Sequence, residues 1–144
     1  LPGLPEHTAK LGLSWRATDW LRLGGDVQAF SSQYVRGNEN NQHQSGTATD
    51  ALGNTRTFEG PGKLGGYAIL NFNAEARLGA GWQVFAKVNN VFDKRYATAG
   101  ALAENPFVGG SFQANPDDWH RQTFVAPGAP RAAWLGLRYV FGGK

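Results

Sequence analysis

Groups able to carry chemistry are few and spread out. Asn115-Pro116-Asp117-Asp118-Trp119-His120-Arg121 sets two carboxylates beside an indole, an imidazole and a guanidinium, and Tyr34, His43 and Arg56 add aromatic and basic groups earlier in the chain. A His near carboxylates is the raw material of a metal site or an acid–base pair. The spacing supports neither: Asp117 and Asp118 are adjacent and point in different directions, and no His or carboxylate pair has the spacing of metal ligands, so Asp117 and Asp118 beside His120 are suggestive only. There is no Gly-x-Ser-x-Gly elbow and no phosphate-binding glycine loop, so no nucleophile, base and orienting group can be assembled. With no Cys, disulfides and thiolate metal sites are also excluded. The expectation is a non-enzyme with no metal and no cofactor.

The elements that must position these groups are strands. A period of two in the hydrophobic pattern puts successive side chains on opposite faces, and five segments carry it. Ala9, Leu11, Leu13 and Trp15 alternate with polar or small residues, as do Leu21, Leu23, Gly25, Val27 and Ala29. Ala68 to Leu78, Trp82 to Val88 and Ala133 to Phe141 repeat the pattern, with Ile69 breaking the polar side. The apolar faces hold no charge, whereas the opposite faces hold Lys10, Arg16, Arg22, Asp26, Glu75, Arg77, Lys87 and Arg138. This asymmetry fits a membrane barrel with its apolar side outward and also a lipocalin-like barrel with it inward.

Connections separate the two. Ala17 to Trp20 and Gly79 to Gly81 are short, and the stretches 35–66 and 97–130 are long, in strict alternation, which is the pattern of outer-membrane barrels with tight periplasmic turns and long outer loops. Trp15, Trp20, Trp82, Tyr139 and Phe141 all fall at the short-turn ends, where an interfacial aromatic girdle belongs. Gly37 to Pro61 is rich in Asn, Gln, Ser, Thr and Gly and reads as a solvated loop with partial disorder. Ala97 to Val108 and Thr123 to Val125 fit either a hairpin or an irregular loop.

Composition agrees. Charged residues are 17% against roughly 25% in soluble domains, Gly is 20 of 144, and aromatics are 12%. The net charge is +3, but Lys and Arg are scattered singly, so nucleic acid is not an expected partner. No run of about 18 apolar residues exists, which excludes a transmembrane helix and leaves strands. Five strands are odd in number and too few to close a membrane barrel, and neither a start Met nor a secretory leader is present, so the chain is expected to be processed or part of something longer.

Three stretches resemble the C-terminal part of TonB-dependent outer-membrane receptors. Leu1-Pro2-Gly3-Leu4-Pro5-Glu6-His7 is similar to that family's Pro-containing approach to a late strand. Val88-Asn89-Asn90-Val91-Phe92-Asp93-Lys94-Arg95-Tyr96 matches its Asn-x-Phe-Asp-x-x-Tyr pattern. Pro127-Gly128-Ala129-Pro130-Arg131 and the ending Leu137-Arg138-Tyr139-Val140-Phe141 resemble its Pro-Arg lead-in and aromatic terminal strand. Gly142-Gly143-Lys144 after Phe141 depart from that ending.

The resemblance implies an all-β fold: an antiparallel transmembrane segment of about five long strands closing a larger barrel of 22, in the Gram-negative outer membrane, with the plug domain absent from residues 1–144. It implies uptake of a bulky ligand, such as an iron–siderophore, cobalamin or an oligosaccharide, energised by TonB through regions N-terminal to this chain. Outer-membrane lipid, the remainder of the barrel, the plug and the barrel-assembly machinery are the implied partners. Tyr34, His43, Arg56, Trp119, His120 and Arg121 lie on the implied extracellular loops that first meet ligand. Asn90, Phe92, Asp93 and Tyr96 form the family motif, where Asn and Asp can equally serve only to bond backbone as a strand ends. Tyr139 and Phe141 are the implied assembly signal, and also plain hydrophobic surface. Two rivals stand beside this reading. A small complete barrel, structural or adhesive, would need strand pairing inside Gly37 to Pro61; a soluble ligand-binding barrel would shield Leu11, Leu13, Leu70 and Leu137.

Overall fold

The computed structural model describes residues 1–141, and Gly142-Gly143-Lys144 lie outside the described residues. The strands are β1 (Thr8–Arg16), β2 (Leu21–Phe30), β3 (Gln33–Tyr34), β4 (Gly46–Thr49), β5 (Thr55–Glu59), β6 (Lys63–Leu64), β7 (Tyr67–Gly79), β8 (Trp82–Asn89), β9 (Ala97–Asn105), β10 (Phe107–Val108), β11 (Ser111–Phe112), β12 (His120–Pro127) and β13 (Ala132–Tyr139), with one 3₁₀ turn at Pro116–Asp118. No helix among the described residues is long and apolar enough to cross a membrane, a finding that says nothing of strands. The chain divides into two units.

The first unit takes His7–Phe30, Tyr67–Arg95 and the chain from Gly128 onward. It holds the five alternating segments, now five antiparallel strands in the order β1-β2-β7-β8-β13. Register follows from the alternation, because a one-residue slip would turn every apolar side chain to the other face. Leu13, Gly25, Phe72, Val88 and Ala133 therefore form one row across the sheet, and Trp15, Leu23, Ala74, Ala86 and Leu135 the next. The opposite face sets Lys10 against Gln28, Asp26 against Asn71 and Arg22 against Glu75.

This sheet has no apolar core of its own. Leu11 and Leu13 are each 75% exposed and Leu137 is 67% exposed, while Leu70 is half-buried. A soluble barrel would cover these four, so the open sheet with its bare apolar face does not support that rival. Both outer strands, β1 and β13, carry one unpaired edge among the described residues. Such an edge in hydrocarbon must find another strand.

At the short-turn end, Thr18 Oγ1 accepts from the Leu21 N–H at 3.0 Å and the Leu21 carbonyl accepts from Ala17 and Thr18 N–H. Trp82, Tyr139 and Phe141 contact in sequence, the first pair tilted and the second edge to face, with ring centroids 4.9 and 4.7 Å apart. Strand β13 ends at Tyr139, so Phe141 lies just past the last paired residue.

The second unit takes Leu1–Glu6, Ser31–Gly66 and Tyr96–Pro127. Strands β9 and β12 form an antiparallel hairpin, β5 runs parallel beside β12, and β4 pairs antiparallel with β5. Two ribbons, β3–β6 and β10–β11, complete it. The buried apolar residues are Val35 and Leu64. Both press on Gly100, where a Cβ would stand 2.7 Å from Val35 Cγ1, so the core closes only because this position has no side chain.

Within Gly37 to Pro61, expected to be a solvated loop with partial disorder, β4 and β5 pair as a short hairpin. Thr47, Thr49, Thr55 and Thr57 are β-branched and suit strands, yet they are polar and leave no hydrophobic alternation to read. The pairing does not revive a small complete barrel: β4 and β5 have four and five residues, short of the roughly 9–11 that cross a bilayer.

Asp50 closes the β4–β5 turn by accepting from Leu52 N–H at 2.9 Å, Asn54 N–H at 3.0 Å and Asn54 Nδ2 at 3.1 Å. The Asn54 side-chain bond is the largest cause holding the carboxyl below its ordinary value, helped by the backbone donors and opposed by partial desolvation. A depressed folded-state value means that the turn's stabilisation is present above the unfolded carboxyl value and is lost as pH falls through the folded one. In an NMR pH titration, the Leu52 and Asn54 amides are expected to shift with a midpoint below 3.8; a midpoint at or above that value would show that the carboxylate does not hold the turn.

Candidate functional site

The six residues expected to meet a ligand all lie in the second unit, but they do not converge. Arg56 on β5 reaches Asp117 at 3.1 Å, His120 Nδ1 on β12 contacts Glu59 Oε1 at 2.8 Å, and Arg121 Nη2 donates to Glu104 Oε1 at 3.2 Å. The first ties β5 to the 3₁₀ turn, and the other two join β12 to β5 and to β9. Trp119 donates its indole N–H to the Gln113 carbonyl at 2.9 Å. Asp117 and His120 are thus engaged by Arg56 and Glu59, and no cluster of three or more metal-ligating side chains occurs among the described residues.

Two of the six share a concavity. A groove of about 480 Å³ is lined by Gly37, Asn38, His43, Phe58, Glu104 and Arg121 among others. Its floor is fixed by Asn38, 1% exposed, which donates to the Gly62 carbonyl at 3.0 Å and accepts from the His43 N–H at 3.0 Å. His43 Nε2 meets the Gly60 carbonyl at 3.1 Å, and its ring stands edge-on to Phe58. Gly62, at φ +61°, leaves no room for a Cβ beside Asn38 and His43. Tyr34 lies elsewhere, in a groove of about 790 Å³ lined by Leu1, Pro2, Leu4, Glu39 and Lys63, with the Lys63 ammonium 5.1 Å from its ring centre. Asn38 was not a sequence candidate, because nothing distinguishes it from Asn40 and Asn41 until Gly62 is brought against it from 24 residues away.

Asn90 and Asp93 sit in the first unit and act on backbone. Asn90 is 2% exposed and left-handed, with φ +50°. Its N–H donates to Asn71 Oδ1 at 3.0 Å, its Oδ1 accepts from Lys94 N–H at 2.9 Å, and its Nδ2 donates to the carbonyls of Lys94 at 2.9 Å and Ala129 at 3.1 Å. Asp93 Oδ1 accepts from Arg131 N–H at 3.0 Å. The two side chains clasp the turn after β8 to the segment leading into β13. Phe92 projects outward at 78% exposure, and Tyr96 is half-buried at the start of the second unit. Asn71 continues the network to Asp26, whose Oδ2 also accepts from Gln28 Nε2 at 2.9 Å.

Replacing Asn90 separates its two roles. Asn90→Gly removes the side-chain bonds, leaving backbone groups unpaired at about 1–3 kcal/mol each, and keeps the backbone relaxed. Asn90→Ala loses the same bonds and adds about 1–2 kcal/mol for a left-handed Cβ. Urea unfolding of the protein in lipid vesicles should rank wild type, then Gly, then Ala; an Ala variant as stable as wild type would show that the clasp contributes nothing.

The sequence of residues 1–91 matches the family described as TonB dependent receptor-like, beta-barrel. No curated protein matches. Solved structures with the same fold include the ferric-catecholate import receptor Fiu of E. coli K12 in its closed form (20% identity, TM-score 0.56, 95% of this chain). The siderophore receptor PiuA of Acinetobacter baumannii (15%, 0.59, 96%) and the ferric yersiniabactin uptake receptor FyuA of Yersinia pestis (18%, 0.59, 96%) also superpose. The chain spans 14% of the Fiu and PiuA chains and 16% of the FyuA chain. With 91 of 144 residues inside the family match and a sheet of the same strand architecture, the chain belongs to the TonB-dependent receptor β-barrel family.

Proposed function

We propose that this chain forms part of the wall and outer loops of a Gram-negative outer-membrane receptor that imports an iron–siderophore complex, energised by TonB. The observation that carries the reading is the open five-stranded sheet with one uncharged, bare face. Charge cannot face lipid cheaply, and strands of eight to thirteen residues suit a bilayer. Membership of the family and the receptors that share the fold support ferric siderophores as the ligand class. The short turns and their aromatics then face the periplasm, and the long connections 35–66 and 97–130 belong to the outer loops. In this arrangement Tyr34, His43, Arg56, Trp119, His120 and Arg121 belong to the surface that meets ligand, the sheet edges join the remainder of the barrel, and Tyr139 and Phe141 contribute to recognition by the assembly machinery.

Adjacent residues on β13 test the membrane face. Leu135→Arg, on the bare side, is expected to cost about 2–4 kcal/mol at the bilayer midplane and to deplete the heat-modifiable folded form in outer-membrane fractions. Trp134→Arg, on the other side, leaves that form abundant. Equal behaviour of the two variants would refute the assignment of faces.

Ligand class is tested by uptake. Cells lacking the gene should lose transport of one or more radiolabelled ferric siderophores under iron limitation, and collapse of the proton gradient should abolish the same transport in wild type. Loss of cobalamin or oligosaccharide uptake instead, with ferric siderophore transport intact, would overturn the ligand class while leaving the membrane wall standing.

A further inference from the structure

Positive charge gathers at one corner of the five-stranded sheet, at the end away from the short turns. Lys94 and Arg95 follow the turn after β8, Arg131 immediately precedes β13, and all three are exposed. They are brought together through backbone and not through their own side chains. Asn90 bonds both the N–H and the carbonyl of Lys94, and Asp93 Oδ1 accepts from the Arg131 N–H at 3.0 Å. Asp93 is the one carboxylate in the stretches 89–95 and 128–132, so three cations stand beside a single anion. None of the three side chains forms an ion pair among the described residues.

Arg131 also holds an unusual place in the alternation. Arg131, Ala133, Leu135, Leu137, Tyr139 and Phe141 share one parity, so Arg131 heads the row that β13 gives to the bare apolar face. From Arg131 to the Tyr139 and Phe141 aromatics is eight to ten residues, or about 27–34 Å along the strand at roughly 3.4 Å per residue. With a tilt of about 40° this is a height of about 21–26 Å, close to the roughly 25 Å of a barrel's apolar band. Arg131 therefore stands at one boundary of the bare face while the aromatics mark the other. At such a boundary the cost of a charge on the lipid-facing side falls from its midplane value nearly to nothing.

Phe92 supplies the apolar half of the corner. It sits on the same clasped turn and is 78% exposed. Cations beside a projecting ring complement an amphiphile, with charge for its phosphate and the ring for the headgroup level. A soluble anion would use the cations and leave Phe92 and the adjoining apolar row unmatched, whereas a lipid engages all of them.

The geometry points to a binding site for an anionic lipid at this corner, with Lys94, Arg95 and Arg131 around the headgroup phosphate and Phe92 beside the start of the acyl chains. A guanidinium meets phosphate through two parallel bonds, and an ammonium meets it as a point charge. This rests on the proposed membrane reading, in which the corner lies at the outer-leaflet interface.

Photo-crosslinking tests the site in the full-length gene product, reconstituted in phosphatidylcholine bilayers doped with either phosphatidic acid or phosphatidylcholine carrying a diazirine at the top of one acyl chain. Phosphatidic acid is expected to label the peptides holding Phe92–Arg95 and Arg131 several-fold more than phosphatidylcholine does. A basic residue near an anionic surface is worth about fivefold in attraction, so Arg131→Gln should cut the preference by about that factor. Lys94→Gln, Arg95→Gln and Arg131→Gln together should abolish it, and Arg95→Lys with Arg131→Lys should retain it. The clasp bonds involve only the backbone of these residues, so the variants keep it. Equal labelling by the two lipids, or an undiminished preference in the triple variant, overturns the proposal. Excess inorganic phosphate that removes the labelling, where sodium chloride of the same ionic strength does not, identifies a free-anion site and also overturns it. The membrane reading is judged separately by fractionation: a protein absent from the outer-membrane fraction defeats that reading, whereas equal labelling of a protein found there defeats only the headgroup site.

Discussion

The five-stranded sheet depends on one constraint: its backbone groups are bonded strand to strand while one whole face offers neither charge nor protein cover. In water such a surface would be an aggregation hazard. Next to hydrocarbon it is stable, provided every N–H and C=O is satisfied within the sheet. That condition explains the uninterrupted antiparallel ladders, the confinement of Lys, Arg, Asp and Glu to the other face, and the aromatic residues gathered at one end.

The apolar face specifies its register only partly. A slip of one residue is forbidden because it inverts the faces, but a slip of two keeps Leu, Val and Ala where they belong. The polar face supplies the missing discrimination. Gln28, Asp26, Asn71 and Asn90 are joined in series across β2, β7 and the end of β8, and Asn90 passes the connection on to the Ala129 carbonyl. Displacing β7 by two residues against β2 or β8 would break a bond in this series. The forgiving apolar face and the polar amide series divide the work of defining the sheet between them.

That division accounts for what was legible in the sequence. Alternation is a local signal, so β1, β2, β7, β8 and β13 could be read nearly to the residue, as could the two short turns. The Asn90-to-Tyr96 stretch was recognisable as a motif, but the contact with Ala129 joins residues 39 apart and has no local trace. The β4–β5 hairpin escaped because four of its nine strand residues are Thr and Phe58 is its one large apolar side chain, which leaves no hydrophobic alternation to read. The β5–β12 pairing was invisible for a stronger reason: parallel partners 63 residues apart leave no periodicity that spans both. The candidate ligand residues were chosen by type, and type does not reveal that Arg56, His120 and Arg121 each have an acid within reach.

The second unit consequently behaves unlike the first. With Val35 and Leu64 as its buried apolar residues, its shape rests on hydrogen bonds to buried amides and on close-packed glycines. This sorts its candidate residues by how freely they could serve a ligand. Arg56–Asp117 and Arg121–Glu104 are solvent-exposed pairs, a class worth roughly 0–1 kcal/mol, so an incoming anion can exchange for either carboxylate at little cost. His43 is bound differently: its backbone is held by Asn38 and its ring by the Gly60 carbonyl. Moving His43 would unpair Asn38, which is almost fully buried, at the cost of an unsatisfied polar group. In the groove they share, Arg121 is therefore the adaptable contact and His43 part of the rigid wall against which a ligand would be placed.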